Sequence, residues 1–533
     1  MRFLPLFLCL VVSAGCARRV SEPPAGTLTI SKEQEASWVR NFNPLSPGVV
    51  RWPAKAGIYE PLLVHSAARG AFVPWLATAW SFSQDLKHLT FTLREGVKWS
   101  DGAPFSADDV AFTFGLLKKH PALDSGGIHT FVSGVARISP TQVRFDFKRP
   151  FVPGLEDIGI VPIVPKHAWK NLPDPVIFAN PNPIATGPFT EILRFTPQEF
   201  VLGRNPHYWQ PGKPALKALR FPAYPSNDQA NLALVTGEVD WAGNFVPAID
   251  RTFVGRDPKH HHYWFPLSGS TVFLYANTTR GVLADVRVRK AISMGIDREL
   301  LVRVASYGYS RPADATGMSD AWPGWKDPAI AAHDWVRHQP DKARAMLKEA
   351  GAQDLTVEIL VVSGWSDWVR AAQVVSRQLQ NVGIKARVRA LDFSPWMEAL
   401  QKGDFDLAIS WSDEGATPYR FYRSLMSPRA VKPVGETTAS NWHRFGDPEA
   451  GRLLEQVEAT GGEAEQKALL RQVQARFSET APAIPLYPNP QWGSYNTRRA
   501  TGFPSASNPY ATLSPNKEPE QLLILTTLKP VAP

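Results

Sequence analysis

The chain has 533 residues, 44% of them apolar and 20% charged, with a formal net charge of +9. That length exceeds what one hydrophobic core sustains, so two to four domains are expected, and the composition excludes collagen-like and disordered classes. The two cysteines, Cys9 and Cys16, both lie at the extreme N-terminus, so the body carries no disulfide, thiol nucleophile or cysteine metal site. The basic excess is scattered rather than clustered, which describes a solvated surface and gives no nucleic-acid footprint.

In chain order, Arg2 precedes an apolar run, Phe3 to Ala14, that is too short for a stable membrane span and reads as an export signal. Residues 16–26 read as a short tether, and Thr27 to Ile30 as a first strand. Leu89, Phe91 and Leu93 alternate with Thr90, Thr92 and Arg94, the two-residue period of a half-buried strand. Gly96 interrupts it, Val97 and Trp99 resume it, and Asp101-Gly102 followed by Pro104 turns the chain. Ser106 and Asp109 have capping-box spacing before Val110, Phe114 and Leu117, one face of a helix. Val143-Phe145-Phe147 is another strand, and Leu219 to Asp240 reads strand, helix, strand. Asp285 to Tyr307 reads as one long capped helix, and Gln339 to Gly351 as a second. Leu355–Val362, a helix through Leu379 and Ile384–Ala390 form a strand-helix-strand unit, followed by a strand at Asp406–Trp411 and a helix near 464–479.

Catalytic signatures are missing from the chain: it has no G-x-S-x-G, H-E-x-x-H, G-x-G-x-x-G or G-x-x-x-x-G-K. The missing Walker motif gives the chain no ATP hydrolysis of its own, and no enzyme activity and no cofactor are expected. His260-His261-His262 cannot all face one ion from a strand, and no carboxylate spacing supports a metal there. Carboxylate pairs such as Asp413-Glu414 leave a secreted glycoside hydrolase as a remote alternative. Eighteen tryptophans against 12 tyrosines is an inverted ratio for a soluble protein. Trp80, Trp99, Trp169 and Trp209 read as core. Trp38, Trp241, Trp264, Trp365, Trp368 and Trp411 fall in loops or strand ends, where an indole can cover a sugar's C–H face and its N–H can meet a hydroxyl.

The series Trp80, Ser83, Asp85, Thr90-Phe91, Leu93-Arg94, Gly96-Val97-Lys98, Asp101-Gly102, Pro104, Ala107, Asp109-Val110, Phe112 resembles the signature of the dipeptide/oligopeptide-binding family of extracytoplasmic solute-binding proteins. Pro165-Lys166-His167, Thr186-Gly187-Pro188-Phe189, Asn205-Pro206-His207-Tyr208-Trp209 and Gly237-Glu238-Val239-Asp240 match further segments, and Tyr59-Glu60-Pro61-Leu62 matches an early helix of the family. The resemblance implies an α/β, two-lobed periplasmic-binding-protein fold with a hinge and an extra subdomain on the N-terminal lobe. The implied division is residues 1–15 as signal, 16–26 as tether, and 27–62, 183–267 and 493–533 as lobe I. Residues 63–182 are then the accessory subdomain, and 268–492 are lobe II with hinge crossings near 268–276 and 485–492. Ser13-Ala14-Gly15-Cys16 is similar to a lipobox, which would make Cys16 a lipidated, membrane-anchored first residue; an ordinary secretory cleavage nearby is the alternative. Either way the protein is exported, periplasmic or on the cell surface.

The same resemblance implies a monomeric capture subunit that hands a small oligomeric ligand to an ABC permease and its ATPase. The stretch around Trp38, Asn41 and Asn43 corresponds to where relatives begin lining their cleft. Peptide-binding relatives carry a Trp with an Asp three residues on for the ligand's ammonium group. Here Trp411 is followed by Asp413 and Glu414, with Glu414 at that third position. Thr417-Pro418-Tyr419 and the residues after it look like a subgroup that binds β-linked disaccharides such as cellobiose. The expected ligand is therefore a β-linked oligosaccharide, with an oligopeptide as the alternative. The expected binding residues are Trp38, Asn41, Asn43, Trp241, Trp264, Trp365, Trp411, Asp413, Glu414 and Tyr419.

Overall fold

The computed structural model describes residues 26–46 and 53–531. The expectations for the signal segment and for Cys16 fall outside them.

Buried apolar side chains separate into two large clusters, and this separation makes the molecule two-lobed. One cluster draws on residues 272–487. The other draws on residues 28–241 together with Tyr495 to Leu528. The first lobe is built on a seven-stranded sheet in the order His261–Tyr263, Ser494–Asn496, Trp241–Ala242, Thr27–Ser31, Ala218–Pro222, Glu199–Arg204, Phe189–Thr196. At its centre Thr27–Ser31 runs parallel to both Ala218–Pro222 and Trp241–Ala242. The second lobe has a five-stranded sheet in the order Lys385–Leu391, Thr356–Val362, Leu407–Trp411, Leu267–Ala276, Ile484–Pro490. There Thr356–Val362 is parallel to the strands on both sides of it.

Two neighbouring strands join the lobes. Leu267–Ala276 and Ile484–Pro490 are antiparallel partners, with Leu267 opposite Pro490. The ribbon continues through Gln491 N–H to the Pro266 carbonyl, 2.8 Å, and Trp264 N–H to the Gly493 carbonyl, 3.0 Å. Both crossings thus bend together, as a hinge needs.

A four-stranded antiparallel sheet, Ala77–Phe82, His88–Leu93, Gln142–Phe147 and Val132–Ser139, forms a layer of its own on the first lobe. In the strand His88–Leu93 every second side chain is buried, as the alternation requires. The helix Ala107–Lys119 packs on this sheet and opens with the expected box: Ser106 Oγ accepts from Asp108 N–H, and Asp109 Oδ2 accepts from Ser106 N–H at 3.0 Å.

Three expectations are corrected. Val97 and Trp99 do not resume a strand; a single bridge, Lys98 to Pro104, is all that forms, because the chain turns at Gly96 and Gly102 and enters the helix capped by Ser106. Residues 285–307 are two helices, Val286–Met294 and Arg298–Ala305. Gly295 ends the first, and Asp297 caps the second by accepting from Leu300 N–H at 2.9 Å. Tyr59–Leu62 is not helical: the Leu62 carbonyl accepts from Trp75 and Ala77, and the buried Glu60 carboxyl accepts from Trp75 Nε1 and the Tyr208 hydroxyl at 2.7 and 2.9 Å. Among the described residues no helix is long and apolar enough to cross a membrane.

Candidate functional site

Side chains following the carboxyl ends of parallel strands have no further ladder to join and project into whatever space the sheet edge faces. Where strand order reverses, adjacent connections leave on opposite faces and a crevice opens. Both lobes do this towards each other. In the second lobe the crevice lies beyond Thr356–Val362 and Leu407–Trp411, and receives Trp365, Asp367 and Trp368 from the first connection and Trp411, Ser412 and Glu414 from the second. In the first lobe it lies beyond Thr27–Ser31, Ala218–Pro222 and Trp241–Ala242, and receives Glu33, Gln34, Asn227, Asn244 and Phe245. Together with hinge residues such as Trp492 and a C-terminal arm through Asn516, Lys517 and Glu518, they enclose a cavity of about 260 Å³.

Its second-lobe wall is aromatic. Trp365 lies 4.8 Å from Trp368 and 6.0 Å from Trp411 between ring centroids, with Trp396 buried behind them, 5.5 Å from Trp411. Polar groups line the cavity on both lobes. Four lining residues carry a buried polar atom with no hydrogen-bond partner among the described residues: Ser270 Oγ and Trp365 Nε1 on the second lobe, and Asn244 Oδ1 and Asn516 Oδ1 on the first. Ser270 and Asn244 are only 3% and 2% exposed. A buried polar atom left unpaired costs about 1–3 kcal/mol, so these four define where a ligand's polar groups are wanted.

Charges in the cavity are largely matched. Glu414, on the second lobe, forms an ion pair with Lys517 of the first. Glu518 lies between Lys32 and Lys55, the latter at 2.8 Å. Burial pushes the Glu518 carboxyl up, but the two ammonium groups outweigh it and hold it below its ordinary value. Burial raises Glu33 to about 7 against the pull of Lys32 and Lys55. It raises Asp367 to about 6, opposed by the backbone N–H groups of Asp367 and Trp368, by Arg370 and by Asn227.

The lobes are closed on one another. Asn227 N–H reaches the Gly364 carbonyl at 3.0 Å. On the accessory side, Glu156 accepts from Ala416 N–H at 3.0 Å and from Arg420 at 3.3 Å, while Asp157 pairs with Arg423 at 3.2 Å. Val152 N–H meets the Glu458 carbonyl at 2.8 Å, and Arg149 pairs with the Glu458 carboxylate.

Of the ten residues expected at the site, Trp365, Trp411 and Glu414 line the cavity. The others are placed elsewhere. Trp38 packs edge-on to Phe200 and its indole N–H is spent on the Phe221 carbonyl, 3.0 Å. Asn41 Oδ1 accepts from Asn43 N–H, and Asn43 Nδ2 donates to the carbonyls of Pro175 and Phe178, so both hold a loop. Trp241 is fully buried against Phe503, and its neighbours Gly243 and Asn244 reach the cavity instead. Trp264 is half-buried against the first-lobe core. The Asp413 carboxyl is raised by burial against the pull of Arg420 and Arg423. The Tyr419 hydroxyl donates to Glu458 at 2.6 Å. None of these seven is among the residues that line the cavity. Residues missed include Glu33, Gln34, Asn227, Asn244 and Lys517. Glu33 and Gln34 lie three and four positions past Ile30, the end of the expected first strand, a signal that could have found them.

In the His260–His262 run, His260 pairs with Asp257 at 2.8 Å and His261 stacks on Phe253. Among the described residues no three His, Cys, Asp or Glu side chains are grouped to hold an ion.

Two lobes hinged by paired strands around an interlobe cavity define the class of two-lobed periplasmic binding proteins. Residues 71–432 match the family model of bacterial extracellular solute-binding proteins, family 5 (middle region), and the chain belongs to that family. It is 26% identical to the nickel-binding periplasmic protein of Escherichia coli, over 94% of this chain and 95% of that one. It is 28% identical to di/tripeptide-binding protein 4 of Pseudomonas aeruginosa, over 96% and 98%. In structure it is similar to the mannohexaose-bound periplasmic oligopeptide-binding protein of Thermotoga maritima, with a TM-score of 0.87, 24% identity, and 95% and 99% of the two chains covered. It is thus an extracytoplasmic solute-binding protein of the kind that serves ABC importers.

Proposed function

We propose that the protein captures a neutral, hydroxyl-rich oligosaccharide, β-linked and cellobiose-like, between its lobes and delivers it to an ABC permease powered by a separate ATPase. The observation that carries this reading is one cavity lined by the Trp365–Trp368–Trp411 wall, by unpartnered Ser270 on the same lobe, and by unpartnered Asn244 and Asn516 on the other. Indole faces suit the C–H faces of sugar rings. A hydroxyl both donates and accepts, so one ring can answer two asparagine acceptors, the Ser270 hydroxyl and the Trp365 N–H. The internal pairing of Glu414 with Lys517 fits a neutral ligand, since an ammonium group would first have to displace a lysine. Ligand touching both walls stabilises the closed state and so shifts an open–closed equilibrium. A lipid on Cys16 would keep the monomer close to its permease.

A peptide is the second reading. Glu33 and Asp367 line the cavity without an ion pair among the described residues and would suit an ammonium group; the di/tripeptide-binding relative points the same way.

Thermal unfolding of the purified protein with cellobiose, longer β-glucans, xylo-oligosaccharides and di- to pentapeptides separates the two. A true ligand at 100 times its Kd stabilises by about 2.7 kcal/mol. A shift with sugars alone supports the first reading; a shift with peptides alone replaces it with the second.

A further inference from the structure

A guanidinium group without a hydrogen-bond partner stands where the two lobes meet beside the hinge. Arg370, on the second-lobe helix Ser366–Asn381, has Nε and Nη2 buried and unpartnered among the described residues. Its Cζ lies 5.2 Å from the centroid of the Phe245 ring and 5.2 Å from that of Tyr307, and the two rings are 5.8 Å apart. Tyr307 belongs to the second lobe and Phe245 to the first, so one cation touches aromatic rings of both. Burying N–H groups away from water is unfavourable, and the electron-rich ring faces are what replaces water here.

Phe245 has three attachments besides. Its carbonyl accepts from Asn231 Nδ2 at 3.1 Å, which ties it to the first-lobe helix Asn227–Val235. Its ring meets Trp492 of the hinge edge-on at 5.2 Å, and it lines the ligand cavity.

Tyr307 adds an independent observation. It follows the helix Arg298–Ala305 and its cap Ser306 with φ at +53°, the left-handed region that glycine ordinarily takes at a helix end. A bulky ring there strains the backbone, and such strain persists where the side chain makes contacts that offset it. Those contacts are Arg370 and Phe245.

We infer that Arg370 is a hinge-side catch on the closed state: a positioning residue, seated on Tyr307, that holds Phe245 of the opposite lobe against the cavity and so slows release of the ligand. When the lobes part, the ring of Phe245 leaves and water returns to the guanidinium, which keeps the catch reversible. It acts whichever solute the cavity takes.

The test is small-angle scattering of the unliganded protein, together with stopped-flow binding and release of a β-1,4-glucose tetramer and of a tripeptide. Arg370→Met should enlarge the radius of gyration and speed release roughly tenfold, the scale of one desolvated cation–ring contact, with the association rate as in wild type. Arg370→Gln serves where the methionine variant does not fold. Because the partner is Phe245, adding Arg370→Met to Phe245→Leu should change neither quantity further. Tyr307→Gly relieves the strained backbone, so its unfolding midpoint should hold or rise even as release quickens. A ring that served only to pack the fold would lower the midpoint and leave release alone, and that result overturns the inference. An arginine variant as closed as wild type that releases ligand no faster overturns it too, as does further opening when Arg370→Met is added to Phe245→Leu. If neither probe binds, the sugar and peptide assignments fail by themselves and scattering decides on the catch.

Discussion

Lys517 of the first lobe and Glu414 of the second form an ion pair across the cleft, on the rim between two of its chambers. The pair does two things at once. It joins the lobes in the closed state, and it occupies a carboxylate that a cationic ligand would otherwise use.

Removing the lysine separates these roles. Lys517→Met leaves Glu414 with no ammonium partner in a half-buried position, where the unpaired charge attracts a ligand cation. Amine-bearing ligands such as dipeptides should gain roughly tenfold in affinity, about 1.4 kcal/mol, while neutral oligosaccharides lose affinity through weaker closure. Titration calorimetry with one ligand of each kind reads both effects.

The acidic pair Glu156 and Asp157 grips Arg420 and Arg423 across the accessory-side contact. Asp157 is nearly fully buried, so Asp157→Asn removes a charge that its arginines cannot replace. Breaking a buried pair costs about 3–5 kcal/mol, and partial exposure of both arginines reduces this to about 1–2 kcal/mol. Small-angle scattering of the unliganded variant should show a larger radius of gyration than wild type, and ligand affinity should fall about tenfold because less of the protein is closed.

His443 is fully buried, donating its Nε2 proton to the Leu425 carbonyl at 2.9 Å. Burial lowers its pKa from 6.5 to about 3, against the effect of that bond, so the folded state holds it neutral. A base depressed on folding contributes stability that is present above about pH 6.5 and is lost as pH falls from there towards 3. Glu60 runs the other way: burial raises it to about 7, so its contribution is whole below about pH 4.5 and lost as pH rises to 7. Urea unfolding across pH 4–8 should therefore show His443→Gln losing less stability than wild type on acidification. Glu60→Gln should lose less on going from pH 5 to 8.

Much of the fold could be read from local pattern. The strand at 89–93, the Ser106–Asp109 cap and the 355–390 strand-helix-strand unit follow from period and capping alone. The family was legible because its spaced Gly, Pro and Trp residues are demands of turns and packing. The site was legible only in part. Trp365 and Trp411 sit beyond strands whose parallel partners could be inferred, but Trp38 and Trp241 carry the same residue type and are spent on lobe packing. Lys517 is 103 positions from Glu414 in sequence, and nothing local announces their pairing. Hinged folds assemble sites from segments far apart in the chain, and a single sequence carries no record of which ones meet.

The aromatic wall supplies the last prediction. Trp411→Ala removes one of the three indoles of the second-lobe wall, and Trp365→Ala also removes an unpartnered N–H donor. Each should weaken oligosaccharide binding by tenfold or more, with Trp365→Ala the larger loss.

The most direct measurement is a pair of calorimetric titrations of the wild-type protein, one with a β-1,4-glucose tetramer and one with a tripeptide. A tryptophan-walled cleft built for a neutral sugar predicts saturable binding of the sugar and none of the peptide. Saturable binding of the tripeptide with no heat from the sugar would contradict it, and would assign Glu33 and Asp367 to the ligand's ammonium group.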